Sequence, residues 1–298
     1  MLFSRRMDNL APYLFAQLEQ KISDKRKSGI DVISLGIGDP DLPTPAYIVE
    51  EMQRQVADAR NHPYPSNWGL PEFAEAAASF YQRRFGVDID PAKEFFPVLG
   101  AKEGLAHICW AILDEGDLAL VPDPGYPVYS GCSIMAGAEV RYLRLKPEKG
   151  FILDLDDISP DDAARAKVLF IGYPNKPTAG IVEDDFFERV VAFAKKYDLI
   201  VVHDNAYSEI TFDGYKAPSF LEVDGAMDVG IEMHSLSKTY NMTGWRVGFA
   251  VGGAEVIAAF AKVKENIDSG VFNAVQLAAV AALEGPQDCV LDLSLIHI

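Results

Sequence analysis

Ser235-Leu236-Ser237-Lys238 and Gly244-Trp245-Arg246 put two hydroxyls, a lysine and an arginine in one short stretch. A lysine amine attacks a carbonyl only when neutral, and burial or a neighbouring cation favours that form. Hydroxyls and a guanidinium suit phosphate, because the arginine fork matches paired oxygens. The residues therefore describe a carbonyl-binding lysine beside a phosphate seat. An isolated Ser-x-Ser-Lys reads better as a solvated lysine at a serine-capped helix start. Arg246, at this distance, favours the chemical reading.

Further polar groups follow apolar runs. Asp204-Asn205-Ala206-Tyr207 comes directly after Leu199–His203. A buried carboxylate there would stabilise a proton on a heteroaromatic nitrogen. Taken alone, Asp204 fits an aspartate capping the next turn better. Gly100-Ala101-Lys102-Glu103-Gly104 lies where a strand gives way to a helix, whose free N–H groups and positive end form a phosphate seat. It is no Walker loop, since GxxxxGK[ST] occurs nowhere in the chain. Gly36-Ile37-Gly38 lacks the third glycine of a dinucleotide fingerprint. Tyr126, after the Pro124-Gly125 turn, fits a stacking platform or a core aromatic. Tyr64 fits an exposed loop aromatic. Asn241-Met242-Thr243 is a formal glycosylation sequon without meaning in a cytoplasmic protein.

The elements that would position these groups alternate between β and α. Leu10, Leu14, Leu18 and Ile22 predict an amphipathic helix over Leu10 to Lys27. Helices are expected over Ala46–Ala59, Pro71–Phe85, about Gly100 to Leu113, from about Val128, Phe186–Lys196, Glu255–Asn266 and Ala274–Leu283. Strands are expected over Phe95–Leu99, Leu118–Val121, Glu139–Leu143, Val168–Tyr173, Leu199–His203, Gly230–His234 and Val247–Val251. This alternation implies an α/β fold with a mainly parallel sheet sandwiched by helices. Ligands bind outside the C-terminal strand ends of such sheets. Those ends carry Gly36–Asp39, Gly100–Lys102, Asp123–Tyr126, Tyr173–Gly180, Asp204–Tyr207 and Ser235–Lys238.

The 298 residues are 49% hydrophobic and 24% charged, with a net charge of −17. That is globular composition, long enough for a large domain and a smaller piece. So acidic a chain repels phosphate backbones, which argues against nucleic acid. Cys109, Cys132 and Cys289 have no CxxC spacing, so neither a disulfide framework nor a metal site is expected. Met1 to Leu10 has no apolar signal region, and no apolar run reaches about 18 residues. No membrane partner is expected, and the expected compartment is the cytoplasm.

The Ser235–Arg246 segment resembles the lysine motif of the class I/II aminotransferases, enzymes of fold type I that depend on pyridoxal 5'-phosphate (PLP). The resemblance implies that Lys238 is the Schiff-base lysine and proton shuttle, with Ser235 and Arg246 at the cofactor phosphate, where the hydroxyl of Ser237 is a further candidate. It implies that Asp204 partners the pyridinium, that Tyr207 donates to the phenolic oxygen, and that Ala101 and Lys102 touch the phosphate. Tyr126 would stack on the ring. Tyr64 would reach the phosphate of a neighbouring subunit in a homodimer with shared active sites. The backbone of Gly38 would approach the substrate carboxylate. Tyr173-Pro174-Asn175-Lys176-Pro177-Thr178-Ala179-Gly180 resembles the family's Y-P-N-N-P-T-G loop, with Lys176 where the family has asparagine. Asn175 and Lys176 are both candidates for the cofactor, and a lysine charge there would favour the ionised phenolic oxygen.

Within that family, Asn9 to Ala16 and Asp31 to Pro45 resemble the LL-diaminopimelate aminotransferases of lysine biosynthesis. The implied reaction moves an amino group between an amino acid, LL-diaminopimelate, and 2-oxoglutarate by ping-pong kinetics. Alternatives are an aminotransferase for alanine, aspartate or aromatic amino acids, a PLP-dependent C–S lyase, and a non-catalytic PLP-binding module. The resemblance runs from about Arg5 to Val290, and family members continue for roughly another hundred residues. The expected domains are therefore an arm and part of an incomplete small domain over 1–45, then the large PLP-binding domain over 46–292. The tail 293–298 resembles a translated library adapter and is expected to be non-native.

Overall fold

The computed structural model describes residues 3–4, 6–34, 38, 40, 42–182 and 185–296, the last four by backbone alone. Gly36, Ile37 and Asp39 of the first expected ligand-side turn lie outside the described residues, as do His297 and Ile298.

In chain order the elements are α1 (Arg6–Asn9), α2 (Leu14–Lys27), α3 (Ala46–Val56), α4 (Pro71–Phe85), β1 (Phe95–Val98), α5 (Ala101–Ile112), β2 (Leu118–Asp123) and α6 (Pro127–Ala136). Next come β3 (Glu139–Arg144), α7 (Pro160–Arg165), β4 (Ala166–Ile171), α8 (Phe186–Tyr197), β5 (Ile200–Asp204), β6 (Gly230–Ser235) and α9 (Leu236–Thr239). The last are β7 (Gly248–Gly252), α10 (Ala254–Glu265), α11 (Asn273–Glu284) and α12 (Asp288–Ile296).

Local chemistry sets many of these limits. Pro71 opens α4, where its missing N–H costs nothing, and Gly86 closes it at φ 70°. The helix expected from Leu10 instead begins at Leu14, after Pro12, and buries no residue. Pro12 has no N–H to give and restricts the residue before it, which separates the short α1 from α2. The stretch expected to be a non-native tail begins inside α12, whose helical backbone continues to Ile296.

The seven strands lie in the order β1-β7-β6-β5-β4-β2-β3. Strand β7 runs antiparallel to both neighbours, and the other pairs are parallel. Helices cover both faces, as a parallel sheet requires. One core packs Ile48 of α3, Phe73 and Tyr81 of α4, Val190 of α8 and Ala278 of α11. The other packs Leu105 and Ile108 of α5, Val128 of α6 and Phe260 of α10. All six residues of β6 are buried.

Glu232 breaks that apolar pattern, since it is fully buried in β6. Its carboxylate accepts from Tyr81 Oη at 2.8 Å, Ser219 Oγ at 2.8 Å and Phe220 N at 2.7 Å. His203 Nδ1, on the next strand, lies 2.6 Å away. Tyr173 N donates to His203 Nε2 at 3.3 Å, so the imidazole proton sits on Nδ1 and points at Glu232. These donors hold the Glu232 carboxyl below its ordinary range although burial alone would raise it. His234, two residues on, has both ring nitrogens buried without partners.

Candidate active site

The strand ends converge on a cavity of about 260 Å³. Strand β5 delivers Asp204, with Ala206 and Tyr207 in the turn after it; β6 delivers Ser235, then Ser237 and Lys238 on α9. The turn after β1 and the start of α5 bring Ala101 and Lys102, and Tyr126 precedes α6. Lys176, Thr243, Leu105 and Arg246 complete the wall.

One side of the cavity is cationic and rich in hydrogen-bond donors. Gly100 caps α5 at φ 89°, leaving the helix N-terminus open. Arg246 lies across it, donating from Nη2 to Leu99 O at 3.1 Å and from Nη1 to Thr243 O at 2.7 Å. Its backbone is left-handed, at φ 57°, a conformation uncommon outside glycine and concentrated at functional sites. Ser235 and Ser237 are buried beside it, and Ser235 Oγ accepts from Ser237 N at 3.2 Å. The 42–45 segment anchors this loop: Thr44 Oγ1 donates to Asn241 O at 2.6 Å and accepts from Trp245 Nε1 at 3.1 Å.

The opposite side is an acid in an apolar setting. Asp204 is buried, and burial raises its carboxyl above the ordinary range. A hydrogen bond from Tyr129, the charge of Lys176 and the backbone N–H of Ala206 pull it back. Tyr129 Oη donates to Asp204 Oδ2 at 2.9 Å, while Oδ1 is buried without a partner. An orphaned carboxylate oxygen on a cavity wall is fit to receive a donor from a ligand. Burial and Asp204 push the Tyr207 phenol up to about 12, so it remains a donor.

Lys238 is half-buried between these sides, and its Nζ donates to Gly38 O at 2.5 Å. Lys176 Nζ stands 4.1 Å from the centre of the Tyr126 ring and 5.8 Å from that of Phe15. Burial lowers its ammonium below the ordinary lysine range, opposed by Asp204 and Tyr13.

Most expected residues come together here, and three do not line the cavity. Asn175 is buried in its own loop, donating from Nδ2 to Gly172 O at 3.2 Å and accepting at Oδ1 from Thr178 Oγ1 at 2.7 Å. Tyr64 is 88% exposed and does not line the cavity. Gly38 does not line the cavity, and its carbonyl accepts from Lys238. Two residues were missed. Tyr129 sits three positions after Tyr126, a spacing that places both at the start of α6 and could have flagged it. Tyr13 accepts from Lys102 Nζ at 3.3 Å, with its ring 4.3 Å from that ammonium. It follows Pro12, in the stretch misread as helix.

Two features elsewhere bear on the expected chemistry. Glu103, His107 and Asp268 have ligand atoms within 4.8 Å of one another. The buried Lys264 ammonium already sits among them, 3.0 Å from Glu103 and 2.6 Å from Asp268. Among the described residues no helix is long and apolar enough to cross a membrane.

A family model described as aminotransferase class I and II matches residues 30–294. An LL-diaminopimelate aminotransferase of Desulforudis audaxviator is 55% identical over 97% of this chain and 74% of its own length. That of Moorella thermoacetica is 54% identical over 96% of this chain and 73% of its own. Among solved structures, substrate-bound BacF from Bacillus subtilis superposes with a TM-score of 0.95 at 38% identity, over 100% of this chain and 75% of that one. A probable N-succinyldiaminopimelate aminotransferase from Thermus thermophilus gives 0.90 at 34% identity, over 95% and 76%.

Proposed function

The chain belongs to the class I and II aminotransferases, and from that premise we propose that it exchanges an amino group between LL-diaminopimelate and 2-oxoglutarate, using PLP held in the cavity beside Asp204. The names of the relatives support the substrate. The observation that carries the cofactor is the orphaned Oδ1 of Asp204, opposite a cationic phosphate seat. Bound PLP supplies an aldehyde that condenses with amines and a protonated ring that draws electrons from the substrate's α-carbon.

The chain's own residues do the rest. Arg246, Ser235, Ser237, Lys102 and the N-terminus of α5 at Ala101 would hold the phosphate by hydrogen bonds and charge. Asp204 Oδ1 would keep a proton on the ring nitrogen. Tyr126 would stack on the ring, and Tyr207 would donate to the phenolic oxygen. Lys176 takes the second donor role in this reading, since Asn175 is bonded within its loop. Lys238 Nζ would hold the cofactor's aldehyde end and serve as the base that faces the substrate's α-carbon. Gly38 would present its backbone to the substrate carboxylate.

In the same reading the large PLP-binding domain spans 46–292, and 1–45 forms an arm with part of a smaller domain. Two copies would share their active sites, with exposed Tyr64 reaching the partner's phosphate seat. The reaction would run in the cytoplasm; three unpaired cysteines support a reducing compartment.

The test combines protein, PLP, LL-diaminopimelate and 2-oxoglutarate and measures glutamate. Glutamate should form, and Lys238→Ala should abolish both transfer and the borohydride-fixed cofactor. Glutamate from alanine or aspartate but not from LL-diaminopimelate would overturn the substrate. Borohydride labelling that survives Lys238→Ala would overturn the lysine's role.

A further inference from the structure

We propose that Tyr129 is the positioning residue that turns Asp204 toward the cofactor ring, in a slot kept open by Gly172; this deepens the proposed function and rests on it. Among the described residues the Asp204 carboxylate has one side-chain donor, Tyr129 Oη, 2.9 Å from Oδ2, beside the backbone N–H of Ala206. Rotation about the last side-chain bond would otherwise be soft, because terminal carboxyl torsions are broad. With Oδ2 tied, Oδ1 stays buried and unpartnered on the cavity wall. A side chain absent from the cavity lining therefore fixes which carboxylate oxygen is left without a partner.

Tyr129 can do this because it is itself fixed. It is 2% exposed, its ring stacks on Phe170 of β4 at 5.1 Å and 10°, and it meets Tyr126 edge-on at 5.8 Å. Burial, then Asp204, raise its phenol well above the ordinary value, so the hydroxyl keeps its proton and remains a donor. Phe170 and Asp204 lie on neighbouring strands, and the hydroxyl crosses between them past Gly172. A Cβ on Gly172 would lie 3.0 Å from Tyr129 Oη and 3.5 Å from Asp204 Cβ. The first of these is tighter than ordinary contact, against a ring packed on Phe170 and Tyr126.

Removing the hydroxyl has two effects with one direction. The carboxylate loses the bond that orients it, and it becomes more basic. Both move the shared proton from the ring nitrogen toward the oxygen.

The experiment uses protein loaded with PLP labelled with 15N in the ring, comparing wild type, Tyr129→Phe and Gly172→Ala by NMR. Tyr129→Phe retains the stacked ring and should shift the nitrogen resonance toward neutral pyridine. Gly172→Ala, which leaves the tyrosine chemically intact, should shift it the same way. kcat should fall roughly tenfold or more, the worth of one hydrogen bond to a charged group, with little change in KM. An unmoved resonance in a folded Tyr129→Phe protein overturns the proposal, whatever happens to stability. Wild type that takes up no cofactor overturns the functional reading and this proposal with it.

Discussion

Gly100 and Arg246 interlock: a Cβ on Gly100 would fall 2.4 Å from Nη2 of Arg246. The guanidinium reaches Leu99 O only because the residue beneath it has no side chain. Gly100→Ala should therefore displace Arg246 and weaken PLP binding by about tenfold or more. The same substitution strains a residue at φ 89° and should cost about 1 kcal/mol of stability or more. Arg246→Lys should lose affinity too, because an ammonium cannot span Leu99 O and Thr243 O while facing phosphate. A fluorescence titration with PLP reads both; unchanged affinity in Gly100→Ala would count against the phosphate seat.

Lys176 gives the site a cation that asparagine would not. A positive charge favours the ionised form of a nearby phenolic oxygen, so it lowers the pH at which the bound cofactor's visible band titrates. Lys176→Asn should raise that midpoint by about one unit. Spectrophotometric titration of the loaded protein checks this, and a midpoint that stays put would remove Lys176 from cofactor tuning.

His234 makes folding sensitive to acid. Burial among Phe80, Tyr81 and Phe249 depresses its imidazole from 6.5 to about 4. The unfolded chain then binds a proton below pH 6.5 that the folded chain refuses until about 4. Stability is present above 6.5 and is lost as pH falls through that window, by about 2 kcal/mol between pH 7 and 5. His234→Leu should flatten this part of the pH profile in urea unfolding. An equally steep profile in the variant would assign the acid sensitivity elsewhere.

Glu232 should be a costly residue to alter alone. Replacing it by alanine strands His203, Tyr81 and Ser219, and should destabilise the fold by about 3–5 kcal/mol. Tyr81→Phe removes one bond and should cost about 1–3 kcal/mol. Chemical denaturation ranks the two, and equal costs would argue against Glu232 as the hub.

What the sequence discloses follows from how local each cause is. Helix α4 is legible to the residue because Pro71 and Gly86 act on the backbone next to them. The inner strands are legible within a residue or two because burial on both faces writes most of them as apolar runs; β3, mostly exposed, is instead marked by its alternating Val140, Tyr142 and flanking charges. The spacing of Leu10, Leu14, Leu18 and Ile22 misled because Leu14 is 61% exposed: periodicity alone does not say what a face packs against. Glu232 was not legible. Its partners come from α4, from β5 and from residues near 219, and only the folded sheet makes them neighbours. Tyr129 is the same case within the site, since its value depends on β4 and β5 lying side by side. The site's charged residues could be named from motifs, but that Asn175 is bonded within its own loop, and Lys176 lines the cavity, was visible only in the fold.

The reversed direction of β7 has a consequence for how the site is inherited along the chain. Ser235 pairs with Gly248 at one edge, and Gly248 pairs with Val98. A parallel β7 would require a long crossover and would begin at the far edge, carrying Arg246 away from Ser235. Running backwards, it lets a single loop hold Ser235, Ser237, Lys238 and Arg246. Five of the thirteen lining residues, these four and Thr243, thus form one heritable cassette, closed by nearest neighbours, whereas Asp204, Lys176 and the Tyr129 behind Asp204 are contributed by separate segments that meet only when the sheet is assembled.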